Sequence, residues 1–236
     1  FYPIFGDTDG PCLEGWTSLS ALAHATERLQ VGTMVNGMPY RHPAVTANMA
    51  STLDIISDGR FQLGLGAGWN ELESNAYGIT LGDTLTERFD RFDESVEIIV
   101  GMLENEETTF EGEYFTVTNA RNEPKGPQTP RPPVVIGGTG ERRTLRTVAR
   151  FADHWNVAPI DGDEWSHKMD VLAGHCEAAG RDRDEIMTSM MVRFNPDDLG
   201  ALADEFRRLD GLGLDAAIVN LPSPHDPAHV EMVSKV

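Results

Sequence analysis

The sequence predicts an α/β protein of parallel strands covered by helices and, by count, a (β/α)8 barrel whose first two strands lie upstream of residue 1. Three observations carry this. Short apolar runs are each followed by a helical pattern, six times along 236 residues, and such alternation favours parallel strands joined by crossover helices. A closed barrel needs eight such units, two more than are read here, and the chain opens in mid-loop. Three of the runs end in unusual loops, at 33–44, 64–71 and 136–144, which a barrel would gather on the carboxyl rim where its chemistry sits. The runner-up is an open doubly wound sheet.

The elements follow in order. Residues 15–27 put Trp16, Leu19, Ala23 and Thr26 on one side of a helix, and 29–35 read as a strand closed by Asn36 and Gly37. Pro43 stands at a helix start, with Val45, Met49, Leu53 and Ile56 at helical spacing behind it. Asp58 and Gly59 stop that helix, and 60–69 form the next strand. Asn70 and Glu73 have the spacing of a capping box, which predicts a short helix. Residues 86–105 carry Phe89, Phe92, Val96, Ile99, Val100 and Leu103, a stripe of period 3.6 with an acidic opposite face.

Around Glu111 and Gly112 the pattern alternates as in a hairpin, and a proline-rich tract follows. Together, 108–132 read as an insertion in a single domain spanning 1–236. Strands at 134–138 and 154–158, a helix at 141–151, a helix at 165–179, and two further strand–helix pairs complete the chain.

Composition excludes some partners. A formal charge of -19, from 38 acidic and 19 basic residues, repels nucleic acid and anionic membranes. An anion must therefore be held locally, by amides or a few placed arginines. Cys12 and Cys176 lie far apart and outside any C-x-x-C motif, so the expected setting is the reducing cytoplasm. No apolar run reaches the length of a membrane span, and no metal-ligand spacing or G-x-S-x-G elbow is present.

Each loop has a functional and a structural reading. Gly64, Gly66 and Gly68 alternate, so a flat ligand could lie on a strand end without side chains, or the glycines could relieve crowding. The dinucleotide fingerprint is absent, because the last spacing of G-x-G-x-x-G fails. Asn70 could be only a cap, and Trp69 only core. In 33–44, Arg41 could hold an acidic group and His42 could move a proton, while Met38 and Tyr40 wall a pocket or simply pack. Gly137, Gly138, Thr139 and Gly140, with Arg142 and Arg143 beside them, offer amides at a helix start, a favourable place for phosphate. Glu141 could satisfy the same amides.

The stretches 27–35, 40–73, 87–92 and 132–156 together resemble the luciferase-like monooxygenase superfamily, in particular its deazaflavin-dependent (coenzyme F420) oxidoreductases. The resemblance covers nearly the whole chain. It implies an eight-stranded α/β barrel holding a flavin-shaped ring at its carboxyl end. It also implies a non-prolyl cis peptide between Met34 and Val35 that backs the ring. Gly66, Ala67, Gly68 and Asn70 would meet the ring's pyrimidine edge; Gly137, Gly138, Thr139 and Gly140 would take the phosphate, and Arg142 or Arg143 would reach the tail. Relatives carry an Asp-His pair after their second strand, which would fall before Phe1. Some sugar-phosphate dehydrogenases of the family have an acidic residue after the glycine strand where this chain has Trp69, so that substrate is not carried over.

The expectation is a cytoplasmic oxidoreductase, possible as a homodimer, exchanging a hydride between coenzyme F420 and a small organic substrate. Glu71 and His42 are the visible candidates for proton handling. Two alternatives stand beside it: a monooxygenase using reduced FMN and oxygen, and a non-catalytic flavin-binding protein.

Overall fold

In the computed structural model, which describes residues 2, 3 and 8–236, all six expected strand regions hold strands, and these pair in parallel within each of two compact units. One unit holds residues 10–137, the other 138–236. Phe1 and residues 4–7 lie outside the described residues.

In the first unit, β1 (Val31–Gly32) and β2 (Asn36–Gly37) both pair with β3 (Phe61–Gly66). The single strand expected at 29–35 is thus two short pieces. Between them Thr33 turns its hydroxyl onto the main chain of Gly64, donating to the carbonyl at 2.9 Å and accepting from the amide at 3.1 Å. β6 (Val134–Gly137), which follows the hairpin strands β4 (Thr108–Glu111) and β5 (Thr116–Ala120), pairs with β3 on its other side. Phe61, Leu63, Leu65, Val134, Val135 and Ile136 are fully buried.

Helices α1 (Gly15–Ala25), α2 (Pro43–Ile56), α3 (Glu71–Tyr77) and α4 (Leu85–Glu104) accompany them. α2 starts at Pro43, as expected, but its buried face differs from the large-residue stripe. Thr46, Ala47, Ala50, Leu53 and Asp54 are buried, whereas Val45 and Ile56 are exposed. Small side chains allow the close approach to α4. α4 buries its expected stripe, with Phe92, Val96, Ile99, Val100 and Leu103 inside. Thr84 caps its first turn, accepting from the Glu87 amide; Lys125 donates to the Met102 and Asn105 carbonyls at its far end, where a cation suits the helix dipole.

The antiparallel hairpin β4–β5 is tied to α4 by one carboxylate. Glu94 accepts from the backbone amides of Glu113, Tyr114 and Phe115 at 2.7–3.0 Å. The proline-rich tract is fixed by Asp54, a fully buried carboxylate that accepts from the Gln128 amide and side chain.

In the second unit, β7 (His154–Val157), β8 (Met187–Arg193) and β9 (Ala216–Asn220) run parallel and in consecutive order, with helices α5 (Thr144–Phe151), α6 (Gly162–Ala179), α7 (Leu199–Gly211) and α8 (Pro227–Val233). The alternation of β7 divides its side chains. Trp155 stacks on Trp165 of α6 at 5.1 Å, while His154 and Asn156 both reach Ser189 on β8. Burial holds the His154 imidazole below its ordinary pKa, against an opposing pull from Asp215. No helix among the described residues is long and apolar enough to cross a membrane.

Candidate functional site

The carboxyl end of β3 is built around one side chain. Gly64 and Gly66 fall on one face of the strand, as its alternation requires, and Val35 sits against that face. A Cβ on Gly66 would stand 2.7 Å from Val35 Cγ2, and one on Gly137, at the end of β6, 3.0 Å from the same methyl. At Gly64 it would stand 1.7 Å from the Thr33 carbonyl oxygen. These glycines are therefore required by close approach, and they receive Val35. The Met34–Val35 peptide is cis, at the bond the resemblance implies.

The loop after β3 has Gly68 at φ +82, a conformation that favours glycine, and a Cβ there would press on Pro39 and Leu81. Trp69 follows, 66% exposed, so it is not the core residue its type suggests. Asn70 caps α3 by accepting from the Glu73 amide at 3.3 Å. The other half of the expected capping box does not form. Glu73 is buried and instead accepts from the Tyr40 hydroxyl and the Tyr2 amide. Burial and that hydrogen bond push the Tyr40 phenol up to about 12, so at neutral pH it is a fixed donor. Neither Tyr40 nor Glu73 was legible as a pair, because 33 residues separate them.

The two proton-handling candidates are placed apart in role. Glu71 opens α3 with its side chain in solvent, 3.9 Å from Arg88. His42 caps α2, its Nδ1 accepting from the Ala44 amide, and lies edge-on to Phe115 at 5.5 Å. It borders a cavity of about 220 Å³ with Arg41, Arg88 and Arg91. Arg88 and Arg91 interrupt the acidic face of α4 three residues apart, a signal that the overall acidity of that segment conceals.

In the second unit the glycine turn precedes α5, which begins at Thr144 rather than at 141. Gly138 has φ +122 and its amide donates to the Asn156 carbonyl, while Trp155 Nε1 donates to the Gly138 carbonyl at 2.8 Å. Glu141 does not compete for the turn's amides. Its carboxylate turns to Lys168 at 2.6 Å and His167 at 3.2 Å, and the Lys168 hydrogen bond holds its pKa low. Arg142 is exposed beside the turn.

Helix-covered parallel strands with glycine-lined ends are the build of an α/β enzyme. More narrowly, the chain belongs to the luciferase-like monooxygenase family, whose model matches residues 4–227, and thereby to the oxidoreductases. It is 31% identical over 210 residues to an uncharacterized protein of Mycobacterium tuberculosis, covering 86% of this chain and 72% of that one. It is 32% identical over 221 residues to the F420-dependent glucose-6-phosphate dehydrogenase of Microbacterium testaceum, covering 92% of this chain and 63% of the relative. Its fold is shared with an F420-dependent secondary alcohol dehydrogenase solved with an F420-acetone adduct: TM-score 0.83 and 17% identity, over 95% of this chain and 83% of that one.

Proposed function

We propose that this protein passes a hydride between coenzyme F420 and a small organic substrate. The observation that carries the reading is Val35 seated on the side-chain-free face formed by Gly64, Gly66 and Gly137. A β-branched side chain held there gives a stiff, flat support for a planar ring, and only glycine leaves it room. F420-dependent enzymes stand among both the sequence and the structural relatives.

The deazaflavin, when bound, supplies the hydride carrier, and the protein orients and screens it. Met34 and Val35 would back the ring, with Gly66, Ala67, Gly68 and Asn70 lining its edge. Trp69 offers an exposed apolar surface that suits an uncharged substrate body. The amides of Gly138, Thr139, Gly140 and their neighbours would receive a phosphate, because glycine turns ahead of a helix present N–H groups to anions; Arg142 would add charge. Of the two proton-handling candidates, Glu71 stays with the rim loop, whereas His42 is engaged as a helix cap. The closed eight-stranded barrel and the single domain belong to the same proposal.

The test is a fluorescence titration of the purified protein with coenzyme F420 and, separately, with FMN. Saturable binding of F420, weakened by about tenfold in Gly138→Ala through the strain of its positive φ, is the expected result. The family's own description as monooxygenases favours the FMN alternative, and tight FMN binding with no F420 binding would decide for it. Binding of F420 without hydride exchange across a broad substrate panel would point to a carrier.

A further inference from the structure

The first unit holds a cavity beside the loop that follows β3. Leu63 and Leu65 alternate with the glycines and are fully buried, and Ala67 is the first residue after the strand. Ala67, with Phe92 and Ser95 of α4 and Phe115 of the hairpin, borders the cavity of about 220 Å³. It is thus set between the loop after β3, α4 and the hairpin, and it adjoins the proposed ring site through Ala67.

Its chemistry is one-sided. Arg41, Arg88 and Arg91 all border it, together with His42, Thr80 and Ser95, and among the described lining residues none is a carboxylate. In a chain of net charge -19 this reverses the general sign. Two of the arginines are engaged: Arg41 with Glu14 at 2.5 Å and Asn36 at 3.2 Å, and Arg91 with Glu87 at 2.7 Å and over the Tyr114 ring at 4.5 Å. Arg88 is the least neutralised, since Glu71 stands 3.9 Å away in solvent and its other contacts are long bonds to the Leu81 and Gly68 carbonyls. His42 accepts at Nδ1, which leaves Nε2 as the proton-bearing nitrogen of the neutral ring and adds a donor. Facing these donors are apolar walls, Phe92, Phe115 and Met38.

We propose that this cavity is a binding site for a small organic carboxylate with an aromatic or aliphatic body. A cluster of cationic donors selects an anion, and Arg in particular suits a planar carboxylate. The size sets the class: a cavity of about 150 Å³ holds benzene, whereas drug-sized ligands need roughly 300 Å³ or more. Because Arg88 also donates to the carbonyl of Gly68, an occupant would touch the loop that follows β3.

Benzoate is the probe, and benzamide, of the same shape but uncharged, is its control; both are titrated into the full chain without cofactor, following amide shifts by NMR. Saturable benzoate binding centred on Ala67, Ser95 and Phe115, about tenfold or more tighter than benzamide, is expected. Arg88→Gln and, separately, Arg91→Gln should each weaken benzoate by about tenfold; Arg91 lies on the helix surface, so that variant keeps the fold if Arg88→Gln does not. No saturable binding, equal binding of benzamide, or benzoate binding unchanged in Arg91→Gln would each overturn the proposal. The outcome is separate from the F420 titration, which neither variant enters.

Discussion

Gly66→Ala tests the seating of Val35 on the glycine face most directly. The added Cβ would lie 2.7 Å from Val35 Cγ2, where ordinary contact begins near 3.4 Å. Val35 cannot yield cheaply. Its side chain is β-branched, with a restricted χ1. Overpacking of this kind costs about 1–3 kcal/mol, offset by roughly 0.5–1 kcal/mol from the smaller entropy of unfolded alanine. A net loss of about 1–2 kcal/mol follows. Val35→Ala removes two methyl groups from a half-buried position and costs about 1 kcal/mol. In the double variant the clash vanishes, since the methyl it involved is gone. Gly66→Ala should then cost nothing or stabilise slightly on the Val35→Ala background, a coupling of about 1–2 kcal/mol. Denaturant unfolding of the four proteins, followed by circular dichroism, measures it. Additivity within about 0.5 kcal/mol would mean that Val35 does not rest on Gly66, and the proposed ring support would go with it.

Two further outcomes follow from the same reasoning. Gly126→Ala places a Cβ 2.0 Å from a carboxylate oxygen of fully buried Asp54; separating Asp54 from Gln128 should cost about 3 kcal/mol, and a thermal midpoint within experimental error of the parent would contradict the packing. His154 is held neutral by burial, with its folded pKa below the ordinary 6.5. The unfolded chain therefore binds the extra proton first, so the stability from this group is complete above about pH 6.5 and lost as pH falls through the folded value. His154→Gln lacks that titration, and its stability gap to the parent should narrow between about pH 7 and 5; parallel curves would refute the assignment.

The amino-acid pattern by itself determined the element order and the class. Apolar runs against 3.6-residue stripes placed every major strand and most helices, because burial imposes those periods wherever an element meets a core. Glycines at 64, 66 and 137 marked the seat of Val35 for a similar reason: close approach excludes side chains, and the exclusion shows as composition. Other features were set by neighbours distant along the chain. Val45 and Ile56 look like core but face outward, since the space beside α2 admits Ala47 and Ala50 instead. Glu73 has a capping-box position, yet Tyr40 takes its carboxylate, and Glu141 leaves the glycine turn for Lys168. Arg88 and Arg91 read in sequence as surface charge on an acidic helix, and Arg41 as a lone loop residue able to hold an acidic group. Only tertiary packing gathers Arg41, Arg88 and Arg91 at one cavity, because a side chain's partner is fixed by three-dimensional proximity, which local periodicity does not encode.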